Sequence, residues 1–239
     1  MDDPVAVCAD ACAAWHTSWL TALGIRSRRT GGLWQALERP PLIYFAGITL
    51  KRQVQAHALA AAPGSVCDAW QSLDLRPFGR RVWRTEPWFY RSPGRLAVAA
   101  PADLEIVPVS TPDEVREFEA VSVRGFGAED DSVAPGTYHP PEVLSDDAMR
   151  MFIGRVEGRA VAAAMGYVTD TAVGVFGVTT IASARRRGYG AALTRAAMLT
   201  ETGLPAILAP SEEGEGVYRR LGFERVGELN IWVTEGPAQ

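Results

Sequence analysis

The chain has few cysteines and histidines, three of each among 239 residues. Cys8, Cys12 and Cys67 are odd in number and form no repeated pair pattern, which argues against a disulfide framework. Cys8, Cys12 and His16 follow at spacings of four, which on a helix places them on one face, as metal ligands would be. A fourth ligand is not evident. We therefore interpret the two cysteines as small residues on the buried side of an N-terminal helix and predict no metal.

The sequence also lacks a long apolar run and an excess of basic residues. No apolar stretch reaches the roughly 20 residues of a membrane span, and Met1-Asp2-Asp3 is acidic where a signal peptide is basic. The net charge of -4 argues against nucleic acid as the main ligand, because a duplex-binding surface needs concentrated Lys and Arg. The 47% apolar content suits a sizeable core. We expect a cytoplasmic monomer or homodimer that binds neither membranes nor nucleic acids.

One local pattern runs against this average composition. After an apolar strand comes the turn Arg185-Arg186-Arg187-Gly188-Tyr189-Gly190, and a helix follows it. Gly188 and Gly190 remove side chains where a ligand approaches the backbone, and the first amides of a helix have no internal partner. These donors, the positive end of the helix dipole and the arginines together predict a phosphate-binding site.

The spacing of this turn disfavours two other phosphate motifs. It is neither a full G-x-G-x-x-G nor a P-loop, because no Gly-Lys-Ser/Thr follows. A basic turn that merely caps a surface helix is the alternative. Further along, 205–210 reads as a short buried strand. Residues 211–223 then read as a short helix stopped by Gly222, with Val217 and Leu221 on its inner face.

The two patterns together resemble the acetyl-CoA motifs of the GNAT N-acetyltransferase superfamily. The first is R-x-x-G-x-G after a strand that carries Val178-x-Thr180. The second is often N-x-x-A-x-x-x-Y-x-x-x-G-F in that family, whereas here Ser211 replaces the Asn and Gly214 replaces the Ala. The resemblance implies an α/β fold with a mixed sheet, the GNAT acyl-CoA N-acyltransferase fold, with acetyl-CoA as co-substrate.

The resemblance also implies roles for individual residues. Tyr218 matches the general acid that faces the departing sulfur, and a core tyrosine on a short helix is the alternative. The serine keeps an oxygen but loses the amide geometry, which puts its cofactor role in doubt. The implied cofactor-binding positions are Val178, Thr180, Arg185, Arg186, Arg187, Gly188, Tyr189, Gly190, Ala191 and Ser211.

Residues 104–239 are predicted to form the acetyltransferase domain, with the order β-α-α-β-β-β-α-β-α-β. Its parts before the glycine loop are a strand at 104–109, a helix from Thr111 to about Phe126, a loop at 130–138, a short helix at 140–148, a hairpin of 150–156 with 160–168 across Glu157-Gly158, and a strand at 172–181. Gly174 and Gly177 in this last strand indicate a bulge or the close approach of a ligand, and relief of crowding in a plain core strand is the alternative. In GNAT enzymes this strand parts from the next, and Val178 and Thr180 would pair with the pantetheine.

Residues 1–103 are less clear. We predict a helix at 5–23, a strand at 41–50, a helix at 54–62, a strand at 65–70 and a short helical segment before the aromatic run 82–90. This order repeats that of 172–233, which favours a degenerate half-repeat whose sheet packs against the second domain. An unrelated helical extension is the alternative, and 93–101 reads as the linker. We expect the aromatic run to form one wall of the acceptor pocket.

Acetyl transfer needs a neutral amine, and the general base is not identified. The acidic candidates are Asp130, Asp131, Glu157, Asp170, Glu212, Glu213 and Glu215, and an ordered water chain is equally compatible. The predicted function is transfer of an acetyl group from acetyl-CoA to a primary amine in a ternary complex. The alternative is a non-catalytic acyl-CoA-binding regulatory module.

Overall fold

The computed structural model describes residues 3–94, 96 and 99–234. In this part of the chain the helices are α1 (Pro4–Ala22), α2 (His57–Ala60), α3 (Pro112–Phe126), α4 (Tyr189–Met198) and α5 (Glu215–Arg220). The strands are β1 (Ser27–Thr30), β2 (Leu33–Ala36), β3 (Gly47–Thr49), β4 (Val66–Asp68), β5 (Arg80–Arg91), β6 (Glu105–Pro108), β7 (Met149–Val156), β8 (Arg159–Val168), β9 (Val173–Thr180), β10 (Ala206–Leu208) and β11 (Glu224–Thr234). Short 3-10 turns lie at Arg76–Phe78, Pro141–Ser145 and Ala182–Ala184.

The element order predicted for 104–234 is confirmed. Helix α3 begins with a capping box, in which Thr111 accepts from the Glu114 amide at 3.3 Å and Glu114 accepts from the Thr111 amide at 3.0 Å. The β7–β8 hairpin turns at Glu157 and Gly158, whose φ angles are +49° and +76°. The predicted second helix is only the 3-10 turn Pro141–Ser145. Local sequence signals therefore determine these elements.

The N-terminal predictions are confirmed for α1, for the strand at 65–70, which is β4, and for the short helical segment, which is the 3-10 turn Arg76–Phe78. Two others are corrected. Asp3 caps α1 by accepting from the Val5 amide at 3.0 Å. The strand predicted at 41–50 forms only over Gly47–Thr49. Pro41 has no N–H for a ladder, and the Tyr44 amide donates to the Pro41 carbonyl at 3.0 Å, which makes a turn of the preceding residues. The helix predicted at 54–62 shrinks to His57–Ala60, which ends shortly before a proline.

The β1–β2 hairpin is absent from the prediction. Gly31 and Gly32 form its turn with φ angles of +60° and +86°. A Gly-Gly pair between two short strands is a known hairpin signal, so the sequence does carry the information.

The eleven strands in the described residues form one sheet in the order β1-β2-β3-β4-β11-β5-β10-β9-β8-β7-β6. Strand β5, from the first half of the chain, lies between β10 and β11 and is antiparallel to both. The expected packing of one sheet against another is therefore wrong. The halves join edge to edge, which satisfies backbone groups that free strand edges would leave unpaired.

The two halves repeat the same local registers. The parallel pairs Gly47/Val66 and Ile48/Cys67 join β3 to β4, just as Val173/Ala206 and Gly174/Ile207 join β9 to β10. The last strand of each half is exchanged, because β11 pairs with β4 and β5 pairs with β10. A half-repeat would produce this topology. The half-repeat and the boundary at 103/104 stay predictions, and residues 95, 97 and 98 of the predicted linker lie outside the described residues.

Helices cover both faces of the sheet around β8 and β9. Helix α4 lies on one face, where a side chain at Gly166 would come within 2.5 Å of the Ala197 carbonyl oxygen. Helices α1 and α3 lie on the other, where Trp15 stacks on Phe176 and Gly125 adjoins Thr179. The end of β9 thus lies between the start of α4 on one face and the stacked rings of Trp15 and Phe176 on the other.

Candidate functional site

Strand β9 is open along much of the edge that faces β10. Only Val173 and Gly174 pair with β10, although β9 continues to Thr180. On its other side, β9 stays paired with β8 as far as Thr180. We call the β10-facing side of 175–180 the open edge. It is the parting of strands that the sequence predicts.

The glycines of β9 produce this geometry in different ways. Gly177 has a φ of +59° and lies in the bulge where the register with β8 shifts between Ala163 and Met165. The predicted bulge is confirmed there. At Gly174 a side chain would come within 2.2 Å of the Phe176 ring, so this glycine makes room for an aromatic ring.

The open edge presents the backbone of Val178 and Thr180. The Ile181 amide donates to the Val161 carbonyl at 3.0 Å, so the backbone groups of Ile181 point toward β8. Because these directions alternate along an antiparallel strand, the groups of Thr180 and Val178 point away from β8. The Thr180 carbonyl already accepts from Arg185 Nε at 3.1 Å. The amides of both residues and the Val178 carbonyl face the open edge.

The loop after β9 ends in a helix start without a side-chain cap. Gly188 is the N-cap of α4 with a φ of +84°, and no side chain accepts from the first turn. The first intrahelical bond runs from the Ala192 amide to the Gly188 carbonyl at 3.1 Å. The amides of Tyr189, Gly190 and Ala191 therefore have no intrahelical acceptor. Backbone donors at a helix start suit an anion.

The two glycines of the loop differ in what they require. At Gly190 a Cβ would meet only Thr180 Oγ1, at 3.6 Å, so no protein group explains the missing side chain. Gly188 has a positive φ that other residues rarely adopt. Arg186 also has a positive φ, +63°, so the loop contains backbone strain.

The side chains of the loop have separate tasks. Arg185 donates to the Thr180 carbonyl at 3.1 Å and to the Gly125 carbonyl at 3.0 Å, which ties the loop to β9 and to the end of α3. Arg186 and Arg187 are exposed. The buried Tyr189 side chain donates to Asp103 at 2.5 Å, which leaves only its amide for a ligand. Arg185 thus positions the loop in addition to carrying charge.

Tyr218 lies on α5 and reaches toward α4. Its ring packs edge-on against Phe223, with centroids 6.1 Å apart. Burial raises the pKa of Tyr218 to about 12, and a hydrogen bond with the Thr194 side chain opposes this shift. The hydroxyl therefore keeps its proton across neutral pH, as a proton donor requires.

Of the two departures from the usual second motif, the one at Gly214 has a structural reason. At Gly214 a Cβ would come within 2.8 Å of the Tyr218 ring, so an alanine would displace the ring. The Ser211 carbonyl accepts from the amides of Gly214 at 2.9 Å and Glu215 at 3.2 Å, which starts the helical turn. The Ser211 side chain is exposed.

None of the acidic candidates stands out as a base. Asp131 accepts from the Ala128 amide at 2.7 Å and Glu215 pairs with Arg219 at 3.3 Å. Glu157 lies in the β7–β8 turn and Asp170 in the β8–β9 turn. The other candidates, Asp130, Glu212 and Glu213, are exposed.

Two glutamates that the sequence analysis missed organise the surroundings of the site. Glu129 accepts from the Ser183 amide at 3.0 Å and the Ser183 hydroxyl at 2.6 Å, which fastens the loop after α3 to the turn before Arg185. Glu119 is buried on α3, where it lies one turn after Val115 and next to Phe118. A charged residue on the inner face of an amphipathic helix is a signal that could have identified Glu119.

The equivalent opening in the first half is closed. Thr49 Oγ1, just beyond the β3–β4 pairs, accepts from the Ala69 amide at 2.8 Å and so joins the two strands. Buried Arg80 donates to the Gly64 carbonyl at 2.9 Å and to the Ala60 carbonyl at 3.1 Å, which holds the α2–β4 connection in place. Of the two parallel pairs, only β9–β10 parts.

The aromatic run is a strand of the sheet. It forms most of β5, and β10 separates it from the open edge. Trp88 and Phe89 are buried, whereas Trp83 is 54% exposed. The run completes the sheet, and Phe89 lies under the Arg219 side chain of α5. Its expected place as a wall of the acceptor pocket stays a prediction.

The described residues contain no helix that could cross a membrane and no cluster of three metal-ligating side chains. Cys8 and Cys12 are buried on α1, as the sequence analysis proposed. Two surface depressions of about 270 and 370 Å³ lie elsewhere, beside β7 and beside the start of β11. Neither depression is lined by residues of the open edge.

No family model and no curated protein matches the chain. Among solved structures, a GCN5-related N-acetyltransferase from Kribbella flavida matches with a TM-score of 0.65 and 22% identity, over 94% of this chain and 96% of that one. A protein assigned to the GNAT family from Novosphingobium aromaticivorans matches with a TM-score of 0.63 and 16% identity, over 98% and 100%. A GCN5-related N-acetyltransferase-like protein from Streptococcus suis matches with a TM-score of 0.54 and 13% identity, over 95% and 100%. The chain has the GNAT fold.

Proposed function

We propose that the protein transfers an acetyl group from acetyl-CoA to a primary amine. The main support is that two features adjoin. The open edge of β9 leads directly into the loop before α4, and the first amides of α4 have no intrahelical partner. An extended amide-containing chain suits the strand edge, and a pyrophosphate suits the helix start. Acetyl-CoA contains both groups.

The residues present fit such a ligand. The amides of Tyr189, Gly190 and Ala191 would hold the pyrophosphate, because no side chain covers them and Gly190 leaves open space. Exposed Arg186 and Arg187 would add charge. Val178 and Thr180 would bond the pantetheine through their backbones. Ser211 enters the proposal only as the residue that starts the α5 turn.

In this proposal Tyr218 donates the proton that the leaving sulfur needs. The amine nitrogen forms the new bond to the acetyl carbon as the carbon–sulfur bond breaks, and the amine loses one proton. The raised pKa of Tyr218 keeps its hydroxyl protonated until that point. We assign no side chain as the base, since the acidic candidates are exposed or already bonded, and water removes the amine proton.

The non-catalytic alternative, an acyl-CoA-binding regulatory module, rests on that same lack of a base. Thiol release from acetyl-CoA, measured with a panel of primary amines, separates the two functions. Amine-dependent thiol release supports the enzyme. Tight acetyl-CoA binding by calorimetry, without thiol release for any amine, would favour the module.

The proposal includes the setting of the reaction. We place the protein in the cytoplasm, as a monomer or homodimer with acetyl-CoA and an amine acceptor as its partners. Residues 104–239 carry the site, and 1–103 form the half that no longer binds cofactor. The closed β3–β4 opening supports this division of tasks.

A further inference from the structure

On the face opposite the glycine loop, aromatic residues and histidines lie against β9. Trp15 of α1 stacks on Phe176, with ring centroids 4.6 Å apart and planes at 21°. The ring centroid of Tyr44 lies 5.5 Å from that of Trp15 and 5.9 Å from that of His16. Phe176 is two residues before Val178, so this group adjoins the open edge. Trp15, His16, Trp19, Tyr44, His139 and Phe176 make up what we call the aromatic layer.

The aromatic layer contains buried nitrogens without partners. In the described part of the chain, Trp15 Nε1, His16 Nε2, Trp19 Nε1 and His139 Nδ1 have no hydrogen bond. Their side chains belong to residues at most 8% exposed. Buried polar groups usually have hydrogen-bond partners, and each buried group without one costs about 1–3 kcal/mol. These nitrogens lie close together and are left for a bound molecule or ordered water to satisfy.

The tautomer of His16 follows from its surroundings. Its Nδ1 lies 2.8 Å from the Cys12 carbonyl oxygen, which can only accept, so Nδ1 carries the proton. Burial lowers the pKa of His16 to about 4, which keeps the ring neutral. Nε2 is therefore an acceptor without a donor. An amine N–H is a suitable donor for it.

The carboxylate beside the aromatic layer is already bonded by backbone donors. Burial, and after it the nearby Glu119 carboxylate, raise the pKa of Tyr44. This carboxylate already accepts from the amides of Gly136 at 2.6 Å, Tyr138 at 2.7 Å and His139 at 2.9 Å. Burial lowers the pKa of His139 to about 3. The same environment disfavours an ammonium, and acetyl transfer needs the neutral amine.

We infer that the aromatic layer is the acceptor site and that it takes a primary amine carried on an aromatic body, not a polycationic amine. Aromatic rings contact the body, and the unprotonated Nε2 of His16 accepts from the amine N–H. This inference rests on the proposed acetyltransferase function. It makes Trp15, which stacks directly on β9, a specificity-determining residue.

Four amines test the inference with the full-length protein and saturating acetyl-CoA. We expect kcat/KM for phenethylamine and tryptamine to exceed that for kanamycin and spermidine at least tenfold. Trp15→Ala should raise the KM for phenethylamine tenfold or more. Trp15→Phe keeps the stack and should raise it less. His16→Asn keeps a donor toward the Cys12 carbonyl but removes the unprotonated Nε2. It should also raise the KM for phenethylamine.

The control is Trp232→Phe, because Trp232 also has a buried unpartnered Nε1 but lies outside the aromatic layer. It should leave the KM unchanged. Preferred turnover of kanamycin or spermidine, or an unchanged KM in Trp15→Phe and His16→Asn, would overturn the inference and leave the acetyltransferase function standing. If no amine is acetylated, calorimetry of phenethylamine with the CoA-loaded protein decides, and absence of binding overturns it. Failure to bind acetyl-CoA would instead remove the proposed function on which the inference rests.

Discussion

Replacement of Gly190 by Asp is the sharpest perturbation of the candidate cofactor site. A Cβ at this position meets only Thr180 Oγ1, at 3.6 Å, and the backbone φ is not positive, so the protein itself accommodates a side chain. Glycine is a poor helix residue, and an acidic side chain near a helix start interacts favourably with the helix dipole. We therefore expect the free energy of unfolding of the ligand-free variant to be equal to that of the parent or slightly higher.

Acetyl-CoA should respond in the opposite direction. Two like charges 4 Å apart repel by about 4 kcal/mol at an effective dielectric constant of 20, which corresponds to a Kd raised roughly a thousandfold. At a hundredfold excess over its Kd, a ligand stabilises the parent by about 2.7 kcal/mol. For a chain of this size that is a Tm increase of roughly 5–11 °C. The same concentration should move the Tm of Gly190→Asp by less than about 1 °C.

The assay is thermal unfolding with and without acetyl-CoA, supported by calorimetric titration. Gly190→Asn, which has the size of Asp without its charge, is the matched control and should lose less affinity. An unchanged acetyl-CoA Kd in Gly190→Asp, with an unchanged ligand-free Tm, would refute the assignment of the α4 start as the pyrophosphate site.

Three further predictions concern catalysis, assembly and pH. Tyr218→Phe should lower kcat by about 10²–10⁴-fold with little change in acetyl-CoA affinity, and equal turnover under chemistry-limited conditions would make Tyr218 merely structural. A fragment that starts at Leu104 lacks β5 and exposes the apolar surface that Trp88 and Phe89, at 2% and 0% exposure, cover in the full chain. At roughly 150–250 Å² per ring and about 25 cal/mol per Å², that loss is about 8–12 kcal/mol, comparable with a whole domain's stability. The fragment should be insoluble or unfolded in circular dichroism unless a peptide spanning 76–94 is added, and a monomeric, fully active fragment would contradict this. His16 and His139 have folded-state pKa values lowered to about 4 and about 3, so the unfolded chain binds protons first as pH falls. In denaturant unfolding, the free energy of unfolding should be highest above pH 6.5 and should fall between about pH 6.5 and 4, by on the order of 3 kcal/mol per histidine. If the free energy of unfolding of His139→Asn depends on pH as steeply as that of the parent, the assignment to His139 is contradicted.

The parts of the site that could be predicted from the sequence are those built by local interactions. The turn from Arg185 to Gly190, the helix after it and the bulge at Gly177 depend on residues close in sequence. The bonds of Arg185 to Gly125 and of Glu129 to Ser183 join segments far apart along the chain, so no local pattern indicates them.

The order of the strands in the sheet likewise could not be predicted from local patterns. The strand β5 could be recognised from its aromatic residues, but its place between β10 and β11 could not, because strand pairing is not local. Local patterns therefore predict two separate sheets where one continuous sheet forms. Trp15 escaped notice for the same reason, since its partner Phe176 belongs to the other half of the chain.

A crystal structure of the protein with bound CoA tests the central claim most directly. The account predicts the pyrophosphate at the amides of Tyr189, Gly190 and Ala191, the pantetheine along Val178 and Thr180, and the sulfur facing the Tyr218 hydroxyl. CoA bound anywhere else, with the open edge of β9 free of ligand, would contradict it.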